Sequence, residues 1–166
     1  MPEARQPGSA TERMSGSRKD FDQKEIAMKV RDIMHRGVEC AAPDTPVELL
    51  AKKMLDEDIG AIPVRHDSDI IGIVTDRDIT LRAVASGGAL SRLTAGDVMS
   101  TGVKFCRADA DIDDAVQLME NRHIRRLLVL DRKDKLVGML SLGDISRAMP
   151  RDVSGELAQA VSSHHA

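Results

Sequence analysis

Two short stretches of this chain carry the residue types that could do chemistry. Residues 72–78 read GIVTDRD and residues 138–144 read GMLSLGD. In both, a glycine opens an apolar run, a hydroxyl residue ends it, and an aspartate follows three positions later. If a strand leads into a helix there, the hydroxyl and the carboxylate meet at the helix N-terminus, where they can bind a polar ligand or cap the helix. The repetition predicts a ligand-binding protein with internal symmetry. Its paired residues are Gly72 and Gly138, Thr75 and Ser141, and Asp78 and Asp144.

A repeated set of helices and strands must position these residues. Residues 32–34 (DIM) match residues 97–99 (DVM), and at the same offset an apolar pattern with helical spacing occurs twice. Residues 45–48 (TPVE) predict the start of the first of these helices, with Thr45 as the N-cap and Pro46 in the first helical position. The helical faces are Val47, Leu50, Ala51 and Met54 in the first copy, and Ile112, Ala115, Val116 and Met119 in the second.

Each copy continues with a strand, a polar turn, a second strand and a final helix. The second turn is one residue longer than the first, which brings Gly72 into register with Gly138. Each unit is therefore β-α-β-β-α, an α+β arrangement. A unit of roughly 55 residues buries too little surface to be stable alone, so the two copies are expected to pack on each other. The other predicted elements are short strands at 37–41 and 102–106, strands at 61–64 and 127–130, and final helices from near Asp76 and Leu142 to about Ala85 and Ala148.

The composition excludes several classes of function. The 166 residues are 42% hydrophobic and 31% charged, as in a globular domain. With two Phe, no Tyr or Trp, and 24 basic against 27 acidic residues, a nucleic-acid surface is not expected. No apolar run approaches the roughly 20 residues of a membrane helix, and the polar start does not resemble a secretory signal. Two cysteines form no disulfide framework, so the cytoplasm is the expected location.

The composition also predicts where the folded parts begin and end. The first segment is rich in Ser, Gly, Pro and Arg and has almost nothing to bury. We expect a disordered extension at 1–27, repeat one at 28–85, a linker at 86–94, repeat two at 95–149, and a flexible tail at 150–166 with a weak helical stretch near 156–161.

Further motifs extend the likeness between the copies and point to a family. They are the DIM and DVM openings, IGAIPV at 59–64, IRRLLV at 124–129, and VTDRDI within the first copy. Together they resemble a tandem CBS-domain protein (the cystathionine β-synthase type of domain), also called a Bateman module, over about residues 29–149. The motifs and the chain length are similar to those of free-standing hypoxic or stress-response CBS pairs. The resemblance implies two repeats related by a pseudo-twofold axis, with two packed three-stranded sheets and clefts between the repeats.

The resemblance also implies a function. It implies a non-catalytic regulatory module that binds adenosine-containing ligands (AMP, ADP or ATP, or else NAD(H) or S-adenosylmethionine), with no obligatory cofactor. It implies a homodimer and an unknown regulated protein partner. A ligand-independent stress-response interaction protein, acting through its dimer surface, is the alternative. The sequence predicts no catalytic site, because it contains no nucleophile with an oriented base, no metal cluster and no acid–base pair at meaningful spacing.

The resemblance assigns roles to individual residues, and the residue types suit those roles. A carboxylate can accept hydrogen bonds from both hydroxyls of a ribose, glycine allows close approach of backbone, and guanidinium groups suit phosphates. Helix capping alone remains the alternative for both hydroxyl–carboxylate pairs. The implied site is Thr75, Asp78, Ser141 and Asp144 for ribose, Gly72 and Gly138 for backbone approach, Arg125 and Arg126 for phosphates, and Val38, Ile62, Val103 and Leu127 for adenine.

The two copies depart from each other at the phosphate position. The second copy has Arg125-Arg126 where the first has Gly60-Ala61, which predicts two unequal sites with most of the phosphate charge in one. Cys40 and Cys106 are interpreted as small buried residues, with a disulfide or a redox switch as the less favoured alternative. The five histidines show no metal-ligand spacing with the cysteines, so no metal is expected. His123 is interpreted as a solvated helix end, with a phosphate contact as the alternative.

Overall fold

The helices and strands follow the predicted repeat. The computed structural model describes residues 28–85, 87 and 89–162, so the N-terminal extension at 1–27 lies outside the described residues. The first repeat contains α1 (Val30–Ile33), β1 (His35–Arg36), α2 (Val47–Asp56), β2 (Ala61–His66), β3 (Asp69–Thr75), α3 (Asp76–Asp78) and a π-helix (Ile79–Val84). After a 3₁₀ helix (Leu90–Arg92), the second contains α4 (Ala95–Val98), β4 (Phe105–Arg107), α5 (Ile112–Arg122), β5 (Arg126–Leu130), β6 (Leu136–Ser141) and α6 (Leu142–Ala148), followed by α7 (Arg151–Ser162).

The apolar patterns place α2 and α5 against their sheets. In α5 all four predicted residues are buried, which confirms the helical spacing. In α2 Val47, Leu50 and Met54 are buried, whereas Ala51 is exposed. The predicted Thr45 cap is wrong, because α2 begins at Val47 after Pro46 and no side chain caps it.

The two repeats exchange their opening segments. Strand β1 precedes α2 in the chain but pairs with β6 of the second repeat, with His35 opposite Met139. At the equivalent place Ser100 bridges Ile73 of β3 in the first repeat. The exchange relates the repeats by a pseudo-twofold axis and fixes how they face each other, because each supplies an edge to the other's sheet.

The sheets differ from the predicted pair of three-stranded sheets. One has four strands in the order β1-β6-β5-β4, and the other has two, β2 and β3. The predicted strand at 37–41 is wrong, because only Ala41 forms a bridge, parallel to Val64. The equivalent pairing in the second repeat covers three residues, since Phe105, Cys106 and Arg107 all pair with β5.

The core has one cluster in each repeat and a third between them. The clusters of the first and second repeats contain the fully buried Leu50 and Leu127, respectively. The third consists of Ala61, Leu128 and Met139, so strands of both repeats contribute to it. Each large buried side chain contributes about 1.5–3 kcal/mol of burial free energy, and the third cluster therefore holds the repeats together.

The C-terminal segment is a helix where the sequence predicted a flexible tail. Helix α7 covers Arg151–Ser162 and buries Leu157 and Val161 completely in the core of the second repeat. These two residues are four apart and share one helical face. The tail prediction is wrong for this range, because the buried face supplies the stability that the small polar residues around it do not. Across the described part of the chain, no helix combines the length and apolar character needed to cross a bilayer.

Candidate functional site: two clefts between the repeats

The first hydroxyl–carboxylate pair forms a capping box at the start of α3. The Thr75 amide and hydroxyl donate to Asp78 Oδ2 at 2.9 and 2.7 Å, and the Asp78 amide donates back to Thr75 Oγ1 at 3.1 Å. Thr75 is the last residue of β3 and has extended backbone dihedrals, as an N-cap requires. The carboxylate therefore stabilises the helix N-terminus through one of its two oxygens.

The second oxygen of Asp78 contacts the opening segment of the second repeat. Asp78 Oδ1 accepts a hydrogen bond from Ser100 Oγ at 3.0 Å and lies 3.4 Å from Arg82 Nη1. Arg82 also donates to the carbonyls of Val98 and Met99, both at 2.7 Å. Among the described residues, Asp78 is the one polar or charged residue classed as buried. A buried carboxylate is stable only when it is paired and hydrogen-bonded, as this one is.

The second pair repeats this geometry at the start of α6. The Ser141 amide and hydroxyl donate to Asp144 Oδ2 at 2.8 and 2.6 Å, and the Asp144 amide donates to Ser141 Oγ at 3.2 Å. Asp144 Oδ1 accepts from the exposed Arg147 guanidinium. The capping alternative is therefore present in both copies.

A cleft of about 820 Å³ lies beside Asp78, and we call it the basic cleft. Its walls come from the end of β3 and the following helix in the first repeat, and from the loop before β4 and the end of α5 in the second. Six cationic side chains and two carboxylates line it. The cations are Arg77, Arg82, Lys104, Arg122, Arg125 and Arg126, and the carboxylates are Asp76 and Asp78.

A smaller cleft of about 370 Å³ lies beside Asp144, and we call it the acidic cleft. It is formed by the loops after β1 and after α2 together with the start of α6. Four carboxylates and two guanidinium groups line it, namely Glu39, Glu57, Asp58 and Asp144 with Arg126 and Arg147. Lys53 forms 2.6 Å ion pairs with Glu39 and Glu57. The hydrogen bond from Lys53 holds the pKa of Glu39 below its usual value, so Glu39 is an anion at neutral pH.

The clefts are related by the internal repeat and have opposite charge at equivalent positions. Lys104 in the basic cleft corresponds to Glu39 in the acidic cleft, and Arg122 corresponds to Glu57. His123 and Arg125 correspond to Asp58 and Gly60 in the same way. Two cavities with one backbone plan thus offer a phosphate group opposite electrostatic environments.

Comparison with known proteins identifies the same pair of repeats. The family model for the CBS domain matches residues 30–84 and again residues 95–151. The chain belongs to the CBS-domain family. Hypoxic response protein 1 of Mycobacterium tuberculosis is 33% identical over 134 residues, which cover 80% of this chain and 93% of that protein.

Solved CBS structures share the fold. A structure of Hypoxic Response Protein I with two coordinated zinc ions has a TM-score of 0.64 at 33% identity, covering 74% of this chain and 100% of that one. A structure of CBSX2 in complex with AMP has a TM-score of 0.58 at 26% identity, covering 72% of this chain and 94% of that one. Among the described residues here, no group of three or more His, Cys, Asp or Glu side chains could hold a metal ion.

The two CBS repeats bring most of the predicted site residues to the clefts. Both hydroxyl–carboxylate pairs and both arginines line one cleft or the other, and Arg126 and Ser141 line both. Val103 lines the basic cleft and Val38 the acidic cleft. Ile62 and Leu127 line neither cleft, because they are buried in the repeat cores, at 1% and 0% exposure. The adenine prediction is therefore wrong for these two residues and stays a prediction for Val38 and Val103.

Gly72 and Gly138 make their close approach inside the protein. A Cβ at Gly72 would lie 2.6 Å from Met99 Sδ and 2.9 Å from the Ser100 carbonyl oxygen. A Cβ at Gly138 would lie 2.6 Å from the His35 carbonyl oxygen. Neither glycine lines a cleft. Their role is to admit the exchanged opening segment of the other repeat, so the predicted backbone approach is to the chain itself.

Sequence reasoning missed several cations of the basic cleft. Arg82, Lys104 and Arg122 come from three separate elements and form no charge run in the sequence. Aligning the two CBS repeats residue by residue would have found two of them, because Lys104 and Arg122 replace Glu39 and Glu57. Folding, rather than local sequence, concentrates this charge.

The remaining titratable candidates do not form a reactive centre. Cys40 and Cys106 are both free thiols of intermediate exposure. Burial raises the pKa of both thiols, and that of Cys106 to about 11. His123 ends α5 in a left-handed conformation, lines the basic cleft, and places Nδ1 3.1 Å from the Ala160 carbonyl oxygen. It is therefore held by α7 as well as exposed to solvent.

Proposed function

We propose that this chain is a non-catalytic regulatory module that binds an adenosine nucleotide through its phosphates in the basic cleft. The observation that carries the proposal is the six Lys and Arg side chains around that cleft, against two carboxylates. Phosphates bind guanidinium groups through charge-assisted hydrogen bonds, which are about twice as strong as neutral ones. Arg125 lies between α5 and β5, Arg126 begins β5, and both line this cleft together with Lys104.

The nucleoside part would lie between Asp78 and the loop before β4. Asp78 Oδ1 now accepts from Ser100, and a ribose hydroxyl would take that position while Oδ2 keeps the helix cap. Val103 also lines the basic cleft and offers an apolar surface for adenine. CBSX2, solved with AMP, supports the ligand class. AMP, ADP, ATP and NAD(H) all carry the phosphates that this cleft suits.

The acidic cleft is not a phosphate site of equal strength. Its four carboxylates exceed its two guanidinium groups, and Arg147 already pairs with Asp144. A nucleotide phosphate entering it would meet net repulsion, which costs affinity. We infer that ATP binds one cleft of each chain and that a derivative without phosphate, S-adenosylmethionine among those predicted, suits the other.

Regulation requires that occupancy changes a second contact. A ligand transmits a signal only when it binds two states of the protein with different affinity. The basic cleft has walls from both repeats, so a ligand there alters how the repeats sit against each other. We propose that the chain reports energy status to a partner protein in this way, as a homodimer.

The competing function is a ligand-independent interaction protein. It is favoured by one observation, which is that both carboxylates already have a full set of protein partners. If capping is their whole role, the clefts need no ligand.

Calorimetric titration with ATP, AMP and adenosine distinguishes the two functions, with Asp78→Ala and Asp144→Ala as a matched pair. Both variants lose the same capping box, but only Asp78 lines the basic cleft. We expect wild-type protein to bind ATP and its melting temperature to rise with ATP concentration. Asp78→Ala should weaken ATP binding about tenfold in the folded fraction, and Asp144→Ala should not. No binding by wild-type protein at millimolar nucleotide would support the ligand-independent function instead.

A further inference from the structure

Arg126 is placed at the border of the two clefts. It begins β5, pairs across the sheet with Ser141, and lines the basic and the acidic cleft alike. Among the described residues, none forms an ion pair or a hydrogen bond with its guanidinium group. The equivalent residue of the first repeat is Ala61, which is 6% exposed and packs in the cluster between the repeats. The internal repeat relates Arg126 to Ala61, so the two clefts together have one guanidinium group at this position instead of two.

Gly60 provides the space that the end of Arg126 occupies. A Cβ at Gly60 would lie 2.9 Å from Arg126 Nη2 and 3.1 Å from Asp76 Oδ2. Among the described glycines, those with positive φ are Gly37, Gly87 and Gly102, so the backbone at Gly60 does not itself require glycine. The requirement is steric, because the space beside its Cα is filled by the ends of two flexible side chains of opposite charge.

We propose that Gly60 positions Arg126 as a phosphate ligand that the two clefts share, so that the basic cleft gains it when a nucleotide binds and the acidic cleft then loses it. The proposal rests on the proposed nucleotide function and deepens it. Asp76 Oδ2 also lies near the Cβ position of Gly60, and Asp76 lines the basic cleft whereas Gly60 lines the acidic cleft, so the resting guanidinium lies at the border of the two. A phosphate in the basic cleft adds a stronger anion on the side of Asp76.

The consequence differs between the clefts because their remaining charges differ. Without Arg126 the basic cleft keeps five cations, whereas the acidic cleft keeps only Arg147, which is paired with Asp144. Loss of Arg126 to the basic cleft therefore leaves the acidic cleft with no cation available to a phosphate. Nucleotide binding in the first cleft makes the second more selective against anions.

The test uses the substitution Gly60→Ala, which adds one methyl group at the contact with Arg126. Gly155→Ala is the control, because Gly155 lines neither cleft and a Cβ there would have no atom within 4 Å. Calorimetric titrations with ATP and with adenosine are run on wild type, both glycine variants, Arg126→Gln, and the double variant Gly60→Ala/Arg126→Gln.

We expect Gly60→Ala and Arg126→Gln each to weaken ATP binding about tenfold and to leave adenosine binding unchanged. The double variant should be no weaker than Arg126→Gln alone, since Gly60 acts through that side chain. Gly155→Ala should bind ATP like wild type. The proposal is overturned if Gly60→Ala behaves like Gly155→Ala, if the two losses add, or if adenosine binding falls together with ATP binding. Absence of ATP binding in wild type would overturn the proposed function itself, which separates the two failures.

Discussion

The hydroxyl–carboxylate pairs at Thr75 and Ser141 act on stability whatever they bind. Asp144 accepts from the Ser141 amide and hydroxyl and so closes the cap of α6. We expect Asp144→Ala to lower the free energy of unfolding by about 1–2 kcal/mol, as for other lost N-caps. Urea denaturation at pH 7 measures this, with the exposed Asp113 of α5 changed to Ala as the control. Equal stability of the two variants would contradict the cap.

Cys106 is expected to be chemically inert at neutral pH. Burial raises the pKa of its thiol from 9.0 to about 11, so the reactive thiolate forms only when the pH approaches 11. At pH 8 we expect iodoacetamide to modify folded Cys106 about a hundredfold more slowly than an unperturbed thiol. Mass spectrometry of the alkylated peptide measures the rate, and the same peptide in urea serves as the control. Equal rates in both conditions would contradict burial as the cause.

At the residue scale, the sequence predicts what is local and misses what folding brings together. Thr75 and Asp78 are three residues apart, so one helix turn is enough to place them, and their pairing is readable in the sequence. The contact of Gly60 with Arg126 joins residues in different repeats and leaves no local pattern. The resemblance to the family assigns Ile62 to adenine, but Ile62 is 1% exposed and packs in the core of the first repeat.

Helix α7 extends beyond the weak helical stretch near 156–161 that the sequence predicts, and its packing against the core is the part that the sequence does not predict. Leu157 is completely buried in the core of the second repeat. We expect Leu157→Ala to lower the free energy of unfolding by about 2–5 kcal/mol, the range for a leucine removed from a packed core. Glu156→Ala, on the exposed side of the same helix, should change it little. Urea denaturation monitored by circular dichroism measures both, and equal effects would show that α7 does not pack as described.

At the element scale, the sequence predicts the periodic α5 and the capped starts of α3 and α6, but neither the start of α2 nor the full length of α7. The pattern of α5 has four apolar residues on one face, and all of them are buried. In α7 the face has little more than Leu157 and Val161 among small polar residues, so its stability comes from the core it meets. The Thr45 cap failed for a related reason: the Thr45 carbonyl accepts from the Ala95 amide at 2.8 Å, a contact with the second repeat that fixes the backbone before α2.

At the scale of the whole molecule, the second repeat differs from the first in two respects: it supplies more of the cleft cations, and it has an additional helix, α7. The second repeat supplies four of the six cations of the basic cleft, and it also has α7 packed on α5 and α6. The first repeat has no such cover within the described residues and exposes large apolar side chains on its helices. Leu49 and Leu55 of α2 are 57% and 81% exposed, and Leu81 and Val84 of the π-helix are 51% and 58% exposed. Exposed apolar groups of this size on one pair of helices are typical of an interaction surface.

We therefore expect the homodimer to form through the helices of the first repeat. A twofold interface places the same surface on both copies, so leucines of α2 would pack against their own counterparts. Wild-type protein should sediment with twice the chain mass, and Leu55→Glu should shift it towards the monomer because a buried unpaired charge is costly. Phe105→Glu, at a 37% exposed position on β4 of the second repeat, is the control and should remain dimeric. If the wild-type protein is a monomer at high micromolar concentration, there is no such interface. If Phe105→Glu dissociates the dimer and Leu55→Glu does not, the interface lies elsewhere.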